Sequence, residues 1–188
     1  MKIITVISIF AAAAAAMIAA GTARSEAESN RALVVFYSRS GNTASAAKTI
    51  QKILGCDLFE IKTTKAYPAD YNETIDIAKK EQRENARPEL QTKEIPGLAQ
   101  YDKVIFAAPC WWGTFPMAFM TLFEANDFSG KEVTVLMTHG GSGLGHSEND
   151  LAKYCPKSKR LKGLAISGSS VNSSEGKISE WLSSIGIK

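Results

Sequence analysis

The sequence predicts a three-layer, doubly wound α/β domain built on a five-stranded parallel sheet. Continuous apolar, β-branched runs recur along the chain, as in strands covered on both faces. Each is followed by a stretch with helical spacing, so strand and helix alternate five times and right-handed crossovers follow. The loops leaving the carboxyl ends of the first, third and fourth strands hold the unusual residues, where ligands bind in such sheets.

The first strand is residues 32–37 (ALVVFY). SRSGNT breaks it, and residues 43–54 then set Ala46, Ala47, Ile50, Ile53 and Leu54 at helical spacing, with Gly55 as the stop. In residues 57–62 (DLFEIK), Leu58 and Glu60 oppose Phe59 and Ile61, an alternation that suits an edge strand. Pro68 and Asp70 precede a helix in which Tyr71, Ile75 and Ala78 share a face. Its charges, Lys79, Lys80, Glu81, Arg83 and Glu84, read as a solvated surface. After a loop bracketed by Pro88 and Pro96 come a third strand at 102–108 (DKVIFAA) and a helix at 117–125. A fourth strand follows at 132–138 (EVTVLMT). Ser147 is placed to cap the helix that runs to Tyr154. The last strand is 161–167 (LKGLAIS), and the last helix, 174–185, turns Ile178, Trp181, Leu182 and Ile185 inward.

Ahead of this domain, Lys2 is followed by an uncharged stretch over 3–23 that includes six consecutive alanines. A basic start, an apolar middle and small residues at the end make a secretory signal peptide, assigned to residues 1–24. Cleavage as late as residue 27 also satisfies the small-residue rule, and an uncleaved anchor is the rival reading. Residues 25–31 form a polar lead, and 32–188 the domain. The expected location is therefore exported and periplasmic, with no membrane in the mature form. Apolar content of 45% excludes a disordered chain. Losing Lys2 and Arg24 with the signal lowers the formal charge from +3 to +1, which gives no support for nucleic-acid binding.

Three loops carry the chemistry. The first offers hydroxyls on Ser38, Ser40 and Thr43, an amide on Asn42, and Gly41 where backbone must approach closely. It opens a helix, whose N-terminal N–H groups favour an anion. It lacks the lysine of GxxxxGK[ST] and lacks GxGxxG, so a terminal monophosphate fits better than a triphosphate or a dinucleotide. A capped turn with no ligand is the alternative. In the second loop Trp111 and Trp112 stand between Pro109 and Gly113. On an extended chain they would point opposite ways, leaving one indole for a flat heterocycle at a stacking gain of ~1 kcal/mol. Packing on a neighbouring helix is the alternative. The third loop, HGGSGLG, holds four glycines, which expose backbone amides. His139 is either a partner for a ring edge or a solvated side chain.

Taken in order, SRSGNT after ALVVFY, APCWWGTFP, THGGSGLGHS and GLAISGSSVN resemble the flavodoxin family over nearly all of residues 33–187. The likeness is strongest to flavodoxin-like proteins with a WWGT loop and a long segment before the third strand. The resemblance implies strand order 2-1-3-4-5 with FMN at the switch between strands 1 and 3, flavodoxin being the standing example of that order. It implies that Ser38, Arg39, Ser40, Gly41, Asn42 and Thr43 hold the phosphate. Pro109, Cys110, Trp111, Trp112 and Gly113 would flank the isoalloxazine, and Thr138, His139, Gly140, Gly141 and Ser142 its other edge. The third loop has no aromatic residue for the ring's outer face, and an export signal is unusual for a soluble flavodoxin. The implied function is electron transfer by an FMN flavoprotein, with a redox partner protein or a small-molecule acceptor. No catalytic residue, metal or nucleic acid is expected. Alternatives are an NAD(P)H-dependent quinone or nitro reductase, or a flavodoxin-fold binding module that has lost FMN. A hydrolase is weakest, because Ser38 and Ser40 lack a histidine with an acid partner. On this fold Cys56, Cys110 and Cys155 lie too far apart for any bridge. Cys110 is then either a reactive thiol or a small apolar wall residue.

Overall fold

Parallel strands form the central sheet of the computed structural model, which describes residues 31–188. The signal peptide and all but the last residue of the polar lead lie outside the described residues. The strands are β1 (Ala32–Phe36), β2 (Asp57–Glu60), β3 (Lys103–Pro109), β4 (Glu132–His139), β5 (Lys159–Arg160) and β6 (Leu164–Ser167). The sheet runs β2-β1-β3-β4-β5, and β6 also pairs with β4. Lys159 and Arg160 sit beside Glu132 and Val133, whereas β6 sits beside Leu136 to His139. β5 and β6 are thus two pieces of one fifth strand, and the order is the expected 2-1-3-4-5.

The break in that strand corrects the continuous 161–167 strand read from the sequence. The Lys162 carbonyl accepts from the Thr134 hydroxyl at 3.0 Å and from the Trp181 indole at 2.8 Å. The Gly163 N–H donates to Glu148 Oε1 at 2.9 Å, and a Cβ at Gly163 would come within 2.7 Å of Val135 Cγ1. Side chains from three neighbouring elements take the backbone groups that a ladder would have used.

The helices are α1 (Asn42–Leu54), α2 (Tyr71–Arg83), α3 (Ala118–Ala125), α4 (Ser147–Tyr154) and α5 (Glu175–Ser184). Alternation along β1 sends Val34 and Phe36 to one face, where they meet Ala46, Ala47 and Ile50 of α1 and Ile178 and Leu182 of α5. Leu33 and Val35 go to the other, with Phe119 and Phe123 of α3 and Leu151 of α4. At the centre of that second face Phe106, fully buried, meets Phe123 at 4.9 Å and Phe128 at 5.2 Å between centroids, both edge to face. Ser147 does not cap α4. His146 holds the cap position, and Ser147 is buried in the first turn with its hydroxyl donating to the Leu144 carbonyl at 2.7 Å.

All three cysteines are free thiols. Cys56 packs into the α1/α5 face and Cys155 into the opposite one, so the sheet separates them. Burial pushes the Cys56 thiol up to about 11 and the Cys155 thiol up to about 12. Alkylation of the native protein near pH 8 should therefore modify Cys110 first and reach the other two only on unfolding. Mass mapping of the labelled peptides checks this order. Phe106→Ala should cost about 3–5 kcal/mol in chemical denaturation, since it empties the centre of the aromatic cluster.

Candidate functional site

β1 and β3 are neighbours, but the crossover from β1 leads outward to β2 while that from β3 leads the other way to β4. Their loops therefore part at the carboxyl edge and leave a crevice between them. Two adjoining cavities open there, of about 480 and 340 Å³. Arg39, Tyr71, Cys110, Trp111 and Gly140 line both.

The larger cavity runs along the start of α1. Gly41 occupies the cap position in the left-handed region at φ 93°, with no side-chain cap and no acidic residue in the first turn. The first-turn N–H groups are thus left to an external anion. Ser40, Asn42 and Thr43 line this cavity, but Ser38 and Gly41 do not. Those two shape the turn instead, the Ser38 hydroxyl accepting from the Gly41 N–H at 3.2 Å. Thr43 is 1% exposed, and its hydroxyl shares a 2.8 Å hydrogen bond with that of Thr138. The Thr43 hydroxyl read from the sequence as a phosphate donor is therefore engaged in tying the first loop to the third.

The second loop turns sharply. Trp111 and Thr114 exchange backbone hydrogen bonds at 2.8 and 3.1 Å. Between them Trp112 and Gly113 both take positive φ, 49° and 85°, which makes a primed two-residue hairpin. The expected separation of the two indoles holds, but a turn rather than an extended chain produces it. Trp111 sits edge-on to Tyr37 and Tyr67 at 5.6 and 4.9 Å. Trp112, 46% exposed, lies along α2 with its indole N–H donating to the Ile75 carbonyl at 2.9 Å. The Gln82 amide donates back to the Trp112 carbonyl at 3.1 Å, and Lys79 stands 4.9 Å from its ring. These contacts hold a tryptophan in a region that L-residues avoid.

The third loop rests on the second. The His146 N–H donates to the Gly113 carbonyl at 2.6 Å, and a Cβ at Gly145 would fall 2.0 Å from that same oxygen. With φ at 54° as well, the position admits only glycine. Thr138, His139 and Gly140 line the larger cavity, and Gly140 and Ser142 the smaller. Gly141 turns the chain, its N–H donating to His139 Nδ1 at 2.9 Å, so that nitrogen is occupied as an acceptor. Pro109 and Cys110 form the floor between the loops. Burial pushes the Cys110 thiol up, against smaller opposing hydrogen bonds involving Ser142 and the Gly113 backbone. The wall-residue reading of Cys110 is thereby favoured over the reactive one.

Tyr71, Ser167, Gly168 and Ser169 also line the site, and sequence reasoning gave none of them a role. A Cβ at Gly168 would meet the Asn42 amide at 2.7 Å, so the loop after β6 buttresses the first loop. Its ISGSS stretch leaves the same sheet edge as the other three, which was the available signal. A further cavity, about 520 Å³, lies between residues 63–67 and α2. There the Tyr67 hydroxyl donates to Glu81 at 2.7 Å, and burial raises both groups.

A family model described as Flavodoxin matches residues 31–185. The chain belongs to the flavodoxin family. Among solved structures, a candidate flavoprotein from Bacteroides eggerthii is 29% identical, with TM-score 0.74, covering 84% of this chain and 99% of its own. A second candidate flavoprotein, from Bacteroides uniformis, is 29% identical with TM-score 0.73, covering 82% and 98%. A flavoprotein from Lactobacillus acidophilus, solved in complex with FMN, shares the fold at 22% identity and TM-score 0.65, covering 81% and 98%. No curated protein matches the sequence. Among the described residues no group of His, Cys, Asp or Glu is arranged to hold a metal, and no helix is long and apolar enough to cross a membrane.

Three substitutions test how the loops of this chain are tied. Gly145→Ala should destabilise the fold by about 2 kcal/mol or more, through clash and positive φ together. Thr43→Val should cost about 1–3 kcal/mol by stranding the Thr138 hydroxyl. The Thr43→Val/Thr138→Val double variant should cost less than the two singles summed, in urea denaturation of all four proteins.

Proposed function

We propose that this chain binds FMN in the crevice and carries electrons in a periplasmic compartment. The observation that carries the reading is the convergence of an uncapped helix start, an aromatic wall and a glycine-rich edge on one groove. Its combined cavities fall within the usual range for small-molecule sites, roughly 300–1,000 Å³.

The residues present fit a monophosphate with a flat ring. Ser40, Asn42 and the first-turn N–H groups of α1 would hold the phosphate, where no acidic side chain opposes it. Trp111, Cys110 and Pro109 would wall the isoalloxazine, and residues 138–140 would flank its other edge. When bound, FMN supplies the one- and two-electron chemistry. The chain's contribution is position and environment. Neither cavity is lined by a carboxylate, so no acid of that type is aimed at the ring.

The likeness to a protein solved with FMN supports the cofactor, and the family supports the redox role. Export rests on Lys2 and the uncharged stretch over 3–23. The acceptor is a redox partner protein or a small molecule that reaches the open edge.

Titration of the purified mature protein should show one FMN bound per chain, with riboflavin at least about tenfold weaker because it lacks the phosphate. A protein that stays colourless at saturating FMN would refute the proposal. NAD(P)H bleaching the bound flavin without an added reductase would instead support an enzyme. Mass spectrometry of the protein recovered from a Gram-negative periplasm should show the signal removed. An intact N-terminus in the cytosolic fraction would count against export.

A further inference from the structure

Of the charges that the sequence pattern assigns to a solvated surface over residues 79–84, one departs from it. Lys79, Lys80, Arg83 and Glu84 are exposed, whereas Glu81 is half-buried. Among the described residues no cation pairs with its carboxylate, and its partner is the Tyr67 hydroxyl, which donates to Oε2 at 2.7 Å. A carboxyl withdrawn from water without a cation is costly, and burial accordingly pushes this one up.

Tyr67 meets more than Glu81. Its ring lies edge to face with Trp111 at 4.9 Å and with Tyr37 at 5.9 Å, and Tyr37 meets Trp111 at 5.6 Å, again edge to face. Such contacts are directional, so two tyrosines together fix the tilt of the indole between them. The sheet holds Tyr37, which is buried and whose N–H donates to the Ala107 carbonyl at 3.1 Å. Tyr67 lies in the connection from β2 to α2, where no ladder holds it. Its hydroxyl is anchored on α2 instead, through Glu81. Tyr67 and Glu81 line neither crevice cavity, whereas Trp111 lines both. Any effect of the pair on the crevice therefore passes through the indole.

We infer that Glu81 and Tyr67 are positioning residues, and that the hydrogen bond between them sets the tilt of Trp111 in the crevice. The inference rests on the FMN reading. It accounts for a half-buried carboxyl on an otherwise solvated stretch, and it makes the far end of α2 part of the site without contact to the ligand.

Donor and acceptor can be removed separately. Tyr67→Phe and Glu81→Ala should each weaken FMN and riboflavin by the same factor, roughly three- to tenfold, because the indole meets the ring and not the phosphate. The double variant should be no weaker than either single, since both remove one hydrogen bond. Glu81→Gln keeps an oxygen that accepts from Tyr67 and should stay within about twofold of wild type. The visible circular dichroism of the bound flavin should change in Tyr67→Phe and Glu81→Ala but not in Glu81→Gln. Far-ultraviolet spectra and urea midpoints establish that each variant is folded. Wild-type affinities and an unchanged flavin band in Tyr67→Phe and Glu81→Ala, even with lowered urea midpoints, would overturn the inference while leaving FMN binding intact. So would additive losses in the double variant, a loss confined to FMN, or a Glu81→Gln protein as weak as the alanine variant. Failure of the wild-type protein to bind FMN or riboflavin would refute the underlying reading, and the brace with it.

Discussion

Everything at the site depends on one topological constraint: β1 and β3 pair side by side while their crossovers leave in opposite directions. Neighbouring parallel strands whose connections run the same way would have their loops packed together. Here the first loop follows α1 to one side and the second follows α3 to the other, so the carboxyl edge between them stays open. Because the strands are buried on both faces, the polar and glycine-rich residues collect in these loops.

An open crevice alone would be loose. Three close contacts draw its loops into a fixed shape. The Thr43 and Thr138 hydroxyls join the first loop to the third. Gly145 seats the third loop on the second, and Gly168 admits the Asn42 amide from the first. Arg39 adds a strap from the first loop to α2. Each contact orders a loop before any ligand arrives, which reduces the entropy lost on binding. Electrostatics act in the same direction. The α1 start has neither a side-chain cap nor an acidic first turn, so the positive end of the helix dipole is available to an anion.

Most of this was legible in the sequence, for physical reasons. Buried parallel strands must be continuously apolar, so ALVVFY, DKVIFAA and EVTVLMT identified themselves. Helix spacing gave α1 and α5, including the inward Trp181. The candidate loops were found by their position and unusual residues, the family resemblance supplied sixteen site residues in them, and twelve of those line the crevice. The four that do not, Ser38, Gly41, Gly113 and Gly141, set its turns. What sequence could not give was the direction of side chains. A serine before a helix reads as a cap, but tertiary packing buried Ser147 and gave the cap position to His146. Thr43 read as a phosphate ligand, and only the fold shows that its hydroxyl also pairs with that of Thr138, far along the chain. Tyr71 went unread because it looked like one residue of a helix face, and only the fold brings that face to the crevice.

On the FMN reading, phosphate and ring share one continuous groove at the β1/β3 switch. Backbone amide chemical shifts followed during an FMN titration test it most directly. Saturable shifts should concentrate in residues 40–43, 110–111 and 138–140. Shifts gathered instead around Thr64, Lys80 and Glu84, in the cavity between residues 63–67 and α2, would contradict it.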